Sequence, residues 1–151
     1  MSLLAKLEQD LKTAQKARMS ERVNVLRFLL AQIHNRVIAL RSAGKNEELT
    51  DGQVLEVLQS EVKKRKEAIN LFRQGKRNDL VAKEEKDLQY IEPYLPAQIS
   101  PREIQSVINR LHAAGHTEFN PLMREAMKEL KGQAEGELVR DLIQAKLGGS
   151  L

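Results

Sequence analysis

The amino-acid sequence predicts an all-α protein, with an N-terminal bundle of about four helices followed by a small C-terminal domain of three helices. Apolar residues recur at spacings of three and four along most of the chain, which is the period of an amphipathic helix. Hydrophobic residues make up 41% of the chain and aromatic residues only 3%, so the core must be mainly aliphatic. No segment shows the alternation that indicates a strand.

Serine caps and apolar stripes predict the first two helices. Ser2 and Ser20 each precede a stretch of helical spacing, as capping residues do. Gly44 follows the second stretch, at a position where helices commonly stop. That second stretch forms an unbroken apolar seam of the kind that helical hairpins bury. Its members are Val23, Leu26, Leu30, Ile33, Val37 and Leu40.

A capping box and a glycine predict the ends of the third helix. Thr50 and Gln53 have the spacing of the box, and Gly75 follows the last apolar position. Arg65 falls within the apolar stripe, so we expect it to bury its stem and either to extend its charged end to solvent or to pair with a carboxylate. A fourth helix is predicted to begin at Asn78 or Asp79.

Two prolines divide the chain. Pro93 and Pro96 stop the fourth helix and favour extended backbone before each proline. Ser100, Pro101 and Glu103 then form the clearest helix start in the sequence. The predicted division is a bundle over residues 1–93, a linker over 94–99 and a second domain over 100–151. Within that second domain, helices are predicted to end near Gly115 and Gly132 and to restart at Asn120-Pro121 and ahead of Leu138.

The charge of the chain is concentrated in its first part. Residues 1–96 carry 18 Lys and Arg against 14 Asp and Glu, whereas residues 97–151 carry seven of each. This bias permits an acidic partner such as RNA but does not require one, and on charge alone an ordinary solvated surface explains it somewhat better. The candidate nucleic-acid-binding residues are Lys63, Lys64, Lys66, Arg73, Lys76 and Arg77 in the first part, and Lys128 and Lys131 beside a glycine-flanked turn in the second.

The residues predict no catalytic site. The chain has no cysteine and no phosphate-binding glycine loop. His112 and His116 are separated by Gly115, which should end the helix between them, so we predict no metal site and no cofactor. There is no secretory signal and no apolar run of about 20 residues, which predicts a cytoplasmic protein that does not enter a membrane.

Several blocks together resemble the GatB/YqeY family. They are Val25-Leu26-Arg27, the segment from Glu61 to Ile69, Gly75-Lys76-Arg77-Asn78-Asp79-Leu80, the segment from Tyr94 to Ser100, and the segment from Lys131 to Gly136. They occur in the order of the YqeY-like proteins, over essentially the whole chain. Glu135 departs from the pattern, because the family usually has aspartate there, which is a better helix cap.

The resemblance implies a connection with aminoacyl-tRNA amidation. The C-terminal part is similar to the tail domain of the B subunit of the tRNA-dependent amidotransferase, a helical appendage that contacts tRNA. The same resemblance implies tRNA as a partner, or an aminoacyl-tRNA synthetase or amidotransferase complex. It also associates the chain with carbon–nitrogen ligases that use glutamine as amido-nitrogen donor, although the catalytic parts of that enzyme have no counterpart here.

Three functions therefore compete at this point. The first is a stand-alone or accessory tRNA-binding protein without its own active site. The second is a glutamine-dependent ligase, which the residues disfavour. The third is a helical protein-interaction scaffold that uses its apolar seams and binds no RNA. Nothing indicates DNA specificity.

Overall fold

The computed structural model describes residues 1–148 and is all-α, which confirms the predicted fold class. The described residues contain seven α-helices, one 3₁₀ turn and a single isolated bridge between Lys131 and Ala134. The last three positions of the predicted second domain, 149–151, lie outside the described residues. The helices are α1 (Leu3–Lys16), α2 (Ser20–Ser42), α3 (Asp51–Gln74), α4 (Asn78–Ile91), α5 (Pro101–Ala113), α6 (Phe119–Leu130) and α7 (Gly136–Lys146), with the 3₁₀ turn at Glu92–Tyr94.

The chain divides into two compact units, Met1–Leu95 and Pro96–Leu151. Residues 94 and 95 of the predicted linker therefore belong to the first unit, and residues 96–99 belong to the second. Tyr94 is buried in the core of the first unit. Gln98 and Ile99 donate hydrogen bonds to the carbonyls of Gly132 and Gln133 in the second unit, at 2.9 and 3.0 Å.

The first unit has one main core and one smaller cluster. The seam of α2 packs with α1, the first half of α3 and the end of α4, through residues that include Leu7, Leu26, Ile33, Leu58 and Ile91. The second half of α3 and α4 share a separate cluster built from Ile69, Val81 and Leu88. Both clusters are aliphatic apart from a few aromatic side chains, as the composition predicted.

Tyr94 fixes the end of the first unit to its beginning. The side chain is 8% exposed, and its hydroxyl donates a hydrogen bond to Asp10 Oδ2 in α1. Asp10 also faces Arg22 of α2 at 3.9 Å, and the Lys6 ammonium lies 5.5 Å from the centre of the tyrosine ring. Burial, reinforced by the bond to Asp10, raises the pKa of Tyr94 to about 12.

A local capping side chain sets three of the seven helix starts within residues 1–148. Ser2 caps α1 by accepting a hydrogen bond from the Ala5 amide, and complete capping boxes at Thr50 and Ser100 begin α3 and α5. Gly75 caps the end of α3, and Asn78 begins α4.

Two predicted starts are wrong by one residue. Ser20 is the first residue of α2 rather than its cap, because the tight turn after α1, with Arg18 at a φ of +56°, puts Met19 in the cap position. In α6, the extended backbone of Glu118 makes Phe119 the first helical residue. Pro121 then occupies the first turn, where its missing N–H costs nothing.

The second unit has its own core, in which α5, α6 and α7 pack through residues that include Ile104, Ile108, Leu122, Leu130 and Ile143. The turn between α6 and α7 reverses at Gly132, whose φ of +82° favours glycine. Helix α7 begins after Glu135 without a side-chain cap hydrogen bond, in keeping with the expectation that glutamate caps less well than aspartate.

Candidate nucleic-acid interface

The four consecutive cations of α3 point in different directions, as four adjacent helical positions must. Lys63, Lys64 and Lys66 are exposed, whereas Arg65 points inward, as predicted from its place in the apolar stripe. The Arg65 Nη1 donates to Glu84 Oε2 at 3.0 Å and to Asp87 Oδ2 at 3.2 Å, both in α4. Its guanidinium carbon lies 5.4 Å from the centre of the Phe28 ring in α2. The run therefore contains three surface lysines and one structural arginine.

Glu61 is a residue that the sequence reasoning missed. It is the one charged side chain buried within residues 1–148, with 4% of its surface exposed. The Lys64 ammonium donates to Glu61 Oε1 at 3.3 Å, one turn along α3. The spacing of three residues between them is a signal that could have indicated the pair. Lys64 therefore has an internal partner that a bound phosphate would have to replace.

The candidate arginines near the α3–α4 turn also face carboxylates. Arg73 pairs with Glu85 at 3.1 Å, and Arg77 donates twice to the carboxylate of Asp79, at 3.1 and 3.2 Å. The hydrogen bonds from Arg77 lower the pKa of Asp79 below its usual value. Because all four side chains are well exposed, these pairs contribute little to stability and can be exchanged for other partners.

The last of the candidate cations in the first unit is exposed in the turn between α3 and α4. Lys76 lies in this turn with a φ of +58°, in the left-handed region that favours glycine. Its side chain is exposed. Neither Lys76 nor Lys63 forms an ion pair with any residue that the structure describes. Of the cations in the first unit that the sequence singled out, these two are the most available to an anion.

In the second unit, both candidate lysines lie near the end of α6. Lys128 pairs with Glu125 at 3.1 Å within the helix, and this contact lowers the pKa of Glu125. Lys131 is exposed and follows the last residue of α6. The carbonyls of Gly132 and Gln133 are occupied by the hydrogen bonds from Gln98 and Ile99. The turn is thus held in place by the start of its own unit.

A cleft of the first unit was not predicted. It has a volume of about 420 Å³ and lies between the first half of α2, the middle of α3 and α4. Its lining includes Asn24, Phe28, Arg65, Lys83, Lys86 and Asp87. Phe28 is 42% exposed, which is unusual for a phenyl ring in an otherwise aliphatic bundle. The apolar period of α2 did not indicate this cleft, because Phe28 lies outside the apolar seam of that helix.

His112 lies in α5, but His116 lies beyond the end of that helix at Ala113, so the two do not share a helix face. Among residues 1–148, no group of three or more His, Asp or Glu side chains could hold a metal ion. Over the same residues, no helix has both the length and the apolar character needed to cross a membrane.

The sequence matches the family model described as Yqey-like protein over residues 4–147. It is 28% identical to "Altered inheritance of mitochondria protein 41, mitochondrial" of Pyrenophora tritici-repentis, over 97% of this chain and 81% of that protein. An uncharacterized protein of Schizosaccharomyces pombe is 32% identical, over 66% of this chain and 76% of its own length.

A third relative, the protein of Eremothecium gossypii that carries the same mitochondrial name, is 35% identical over 62% of this chain and 49% of its own length. The prediction of a cytoplasmic protein is wrong on this comparison, because the named relatives are described as mitochondrial. The resemblance noted from the sequence blocks is confirmed.

Proposed function

This chain belongs to the family of YqeY-like proteins, and we propose that it is an accessory or stand-alone tRNA-binding protein related to aminoacyl-tRNA amidation. The observation that carries the proposal is the pair of exposed lysines, Lys63 and Lys76, which have no ion-pair partner in the described chain. The similarity of the C-terminal part to an amidotransferase tail domain supports tRNA as the acidic partner. In this proposal, other proteins carry out the amide transfer itself.

The surrounding charges support phosphate binding in the same region. Arg73 and Arg77 are held only by exposed carboxylates, and such surface pairs contribute little to stability. A phosphate of the RNA backbone can therefore replace the carboxylate partners of these arginines at little cost in free energy. Arg65 is not part of the proposed interface, because its removal would leave the largely buried Glu84 without its arginine partner and Asp87 with only the contact from the exposed Lys83.

The test is a filter-binding titration with bulk tRNA over a salt series. We expect affinity to fall steeply as salt rises, because each phosphate contact releases counterions. The variant Lys63→Glu/Lys76→Glu should weaken binding at least tenfold and reduce the salt slope by about two, one for each lost phosphate contact.

The matched control is Lys12→Glu/Lys45→Glu, which makes the same change of net charge at two other exposed lysines of the first unit. This control should retain most of the affinity and the salt slope. Absence of tRNA binding even at low salt would refute the proposed function. Equal losses in the two double variants would show that only net charge matters.

A protein-interaction scaffold is the second candidate function. Most of the apolar seams of α2 and α3, which first suggested this function, is buried inside the bundle. Ile38 and Leu71 still favour it, because these large apolar side chains are 47% and 66% exposed. The partner would then be an aminoacyl-tRNA synthetase or an amidotransferase complex. An RNA-free complex with such a partner that is lost in Leu71→Ser would favour the scaffold over tRNA binding.

A further inference from the structure

We propose that the cleft beside Phe28 receives one unpaired base of the bound RNA, stacked on the phenyl ring, with the adjacent phosphate held by Lys83 and Lys86. This inference rests on the proposed function and names the part of the RNA that the first unit would recognise. The cleft, at about 420 Å³, has a volume typical of small-ligand sites.

The ring is available for stacking and is held in position. Phe28 stands between two buried core residues in the sequence order of α2, Leu26 and Leu29, yet it is 42% exposed. The guanidinium of Arg65 lies against the ring at 5.4 Å from its centre. Since Glu84 and Asp87 hold that guanidinium, the ring packs on a fixed support and leaves part of its surface open to the cleft. Unpaired RNA bases commonly stack on such exposed aromatic rings.

A polar group lies one turn from the ring. Asn24 precedes Phe28 by four residues, so the two side chains are neighbours on the same face of α2, and both line the cleft. A side-chain amide can both donate and accept hydrogen bonds, as the edge of a nucleobase requires. The cleft thus offers a stacking surface and a hydrogen-bonding group at adjacent positions.

The lysines at the cleft are held by contacts that a phosphate can replace. Lys86 pairs with Glu21 at 2.6 Å, and both side chains are more than half exposed. Lys83 lies 3.5 Å from Asp87, whose carboxylate also accepts from Arg65 at 3.2 Å. If Lys83 turns to a phosphate, Asp87 therefore keeps a cationic partner. The exchange leaves no buried charge unpaired, so it costs little.

These features favour an unpaired base over the other acidic ligands. The bases of an RNA duplex are stacked on one another and cannot reach a ring inside a cleft. An acidic peptide would engage the lysines, but it would make no particular use of the exposed ring or of Asn24. An unstacked base with its phosphate uses all three kinds of group.

The experiment titrates the full chain with a fluorescently labelled single-stranded RNA tetranucleotide, with a blunt RNA duplex and with AMP. Phe28→Ala should weaken tetranucleotide binding by about 5- to 100-fold, the loss expected for one stacked base. Its binding of the duplex should not change. Phe28→Trp, which keeps an aromatic surface and so tests for a merely structural role of Phe28, should retain the affinity.

Ile38→Ala is the matched control, because Ile38 lies in the same helix with similar exposure but does not line the cleft. It should bind the tetranucleotide like the unmodified protein. Asn24→Ala is a second test that leaves the packing of Phe28 on Arg65 in place, and it should lower affinity several-fold.

The outcomes separate this inference from the proposed function. If tRNA binds and Phe28→Ala has no effect on the tetranucleotide, the inference is overturned and the proposed function stands. If tRNA does not bind but the tetranucleotide does, in a way that depends on Phe28, the inference stands for single-stranded RNA and only the proposed function fails. If AMP alone binds in a way that depends on Phe28, the cleft is a mononucleotide site and both the inference and the proposed function fail. Displacement of the tetranucleotide by polyglutamate at equal charge, without any dependence on Phe28, would show that charge alone acts and would overturn the inference.

Discussion

At the scale of single residues, Arg65 and the lysines beside it differ in environment although they are neighbours in sequence. The arginine side chain is 14% exposed and serves two carboxylates of α4, whereas Lys64 is 66% exposed. A charge in a largely buried pair stabilises the fold mainly because its removal leaves the partners uncompensated. We therefore expect substitution of Arg65 to change the stability of the protein, and substitution of Lys63 to change its binding of RNA.

We expect Arg65→Met to lower the free energy of unfolding by about 3 kcal/mol, because Glu84 and Asp87 would lose their common partner. Urea denaturation followed by circular dichroism measures the change. Lys63→Met, at an exposed position of the same run, should stay within about 0.5 kcal/mol of the unmodified protein.

A triple variant, Arg65→Met/Glu84→Gln/Asp87→Asn, should recover most of the loss because it removes the stranded charges together with the arginine. If Arg65→Met cost no more than Lys63→Met, the ion pairs on Arg65 would be no stronger than exposed ones.

The raised pKa of Tyr94 predicts that the folded protein loses stability at alkaline pH. Its pKa is raised to about 12 in the folded protein, from an ordinary value of about 10. A raised pKa means that the folded state favours the neutral phenol, so the stabilisation is complete below pH of about 10 and is lost as the pH rises through about 12. Tyr94→Phe should cost about 1–2 kcal/mol at neutral pH, for the lost hydrogen bond to Asp10.

Urea denaturation of both proteins from neutral pH to about pH 12 tests this expectation. The gap in unfolding free energy between the unmodified protein and Tyr94→Phe should narrow across the alkaline range. The control is Tyr90→Phe, which leaves the Tyr94 hydroxyl in place. The difference in unfolding free energy between this variant and the unmodified protein should not narrow over the same pH range. A gap that stays constant with pH would mean that Tyr94 ionises equally in the folded and unfolded chains.

The residue-level predictions from sequence succeeded where the signal was local. The inward direction of Arg65 followed from its place in the stripe of α3, because helical periodicity decides which face a residue occupies. Its partners Glu84 and Asp87 did not follow, since periodicity does not say which helix packs against that face. The cleft at Phe28 was missed for the same reason: three helices that are separate in sequence form it.

At the scale of helices, the starts with capping boxes were predicted correctly, whereas the start of α2 was not. In the boxes at Thr50 and Ser100, both hydrogen bonds join residues three apart, so the sequence contains the whole interaction. The start of α2 depends instead on the turn after α1, where the Met19 amide donates to the Ala14 carbonyl at 3.0 Å. That geometry has no short sequence pattern.

Ser100→Ala should lower the stability of the second unit by about 1 kcal/mol, because the Glu103 amide loses its cap acceptor. The control is Ser106→Ala in the same helix, where the hydroxyl only donates back to the Arg102 carbonyl and alanine favours the helix. Thermal unfolding followed by circular dichroism compares the two. A control variant as unstable as Ser100→Ala would show that the cap has no special role.

At the scale of the whole molecule, the two units differ in charge and have separate cores. The excess of four positive charges lies in the first 95 residues, and the second unit is balanced. Under the proposed function, this difference leads us to expect that the first unit supplies most of the attraction for RNA and that the tail-like second unit supplies position.

Separate cores predict separate losses of stability. Leu122→Ala should cost the second unit about 2–5 kcal/mol, and Leu26→Ala should cost the first unit a similar amount, since both leucines are fully buried. Native-state amide exchange measures each unit individually. We expect faster exchange in the core amides of the substituted unit. Equal acceleration in both units would mean that the whole chain unfolds as one cooperative body.

The bond between Tyr94 and Asp10 also bears on the order of events during synthesis. It joins residues 84 positions apart, so it closes almost the whole of the first unit into one loop. A nascent chain that has released only α1 to α4 has every helix of the bundle but cannot yet make this contact. The first unit is therefore completed only after the Tyr-Leu-Pro segment has left the ribosome. By then the bundle helices can already have paired, and the tyrosine closes a structure that the preceding residues have built.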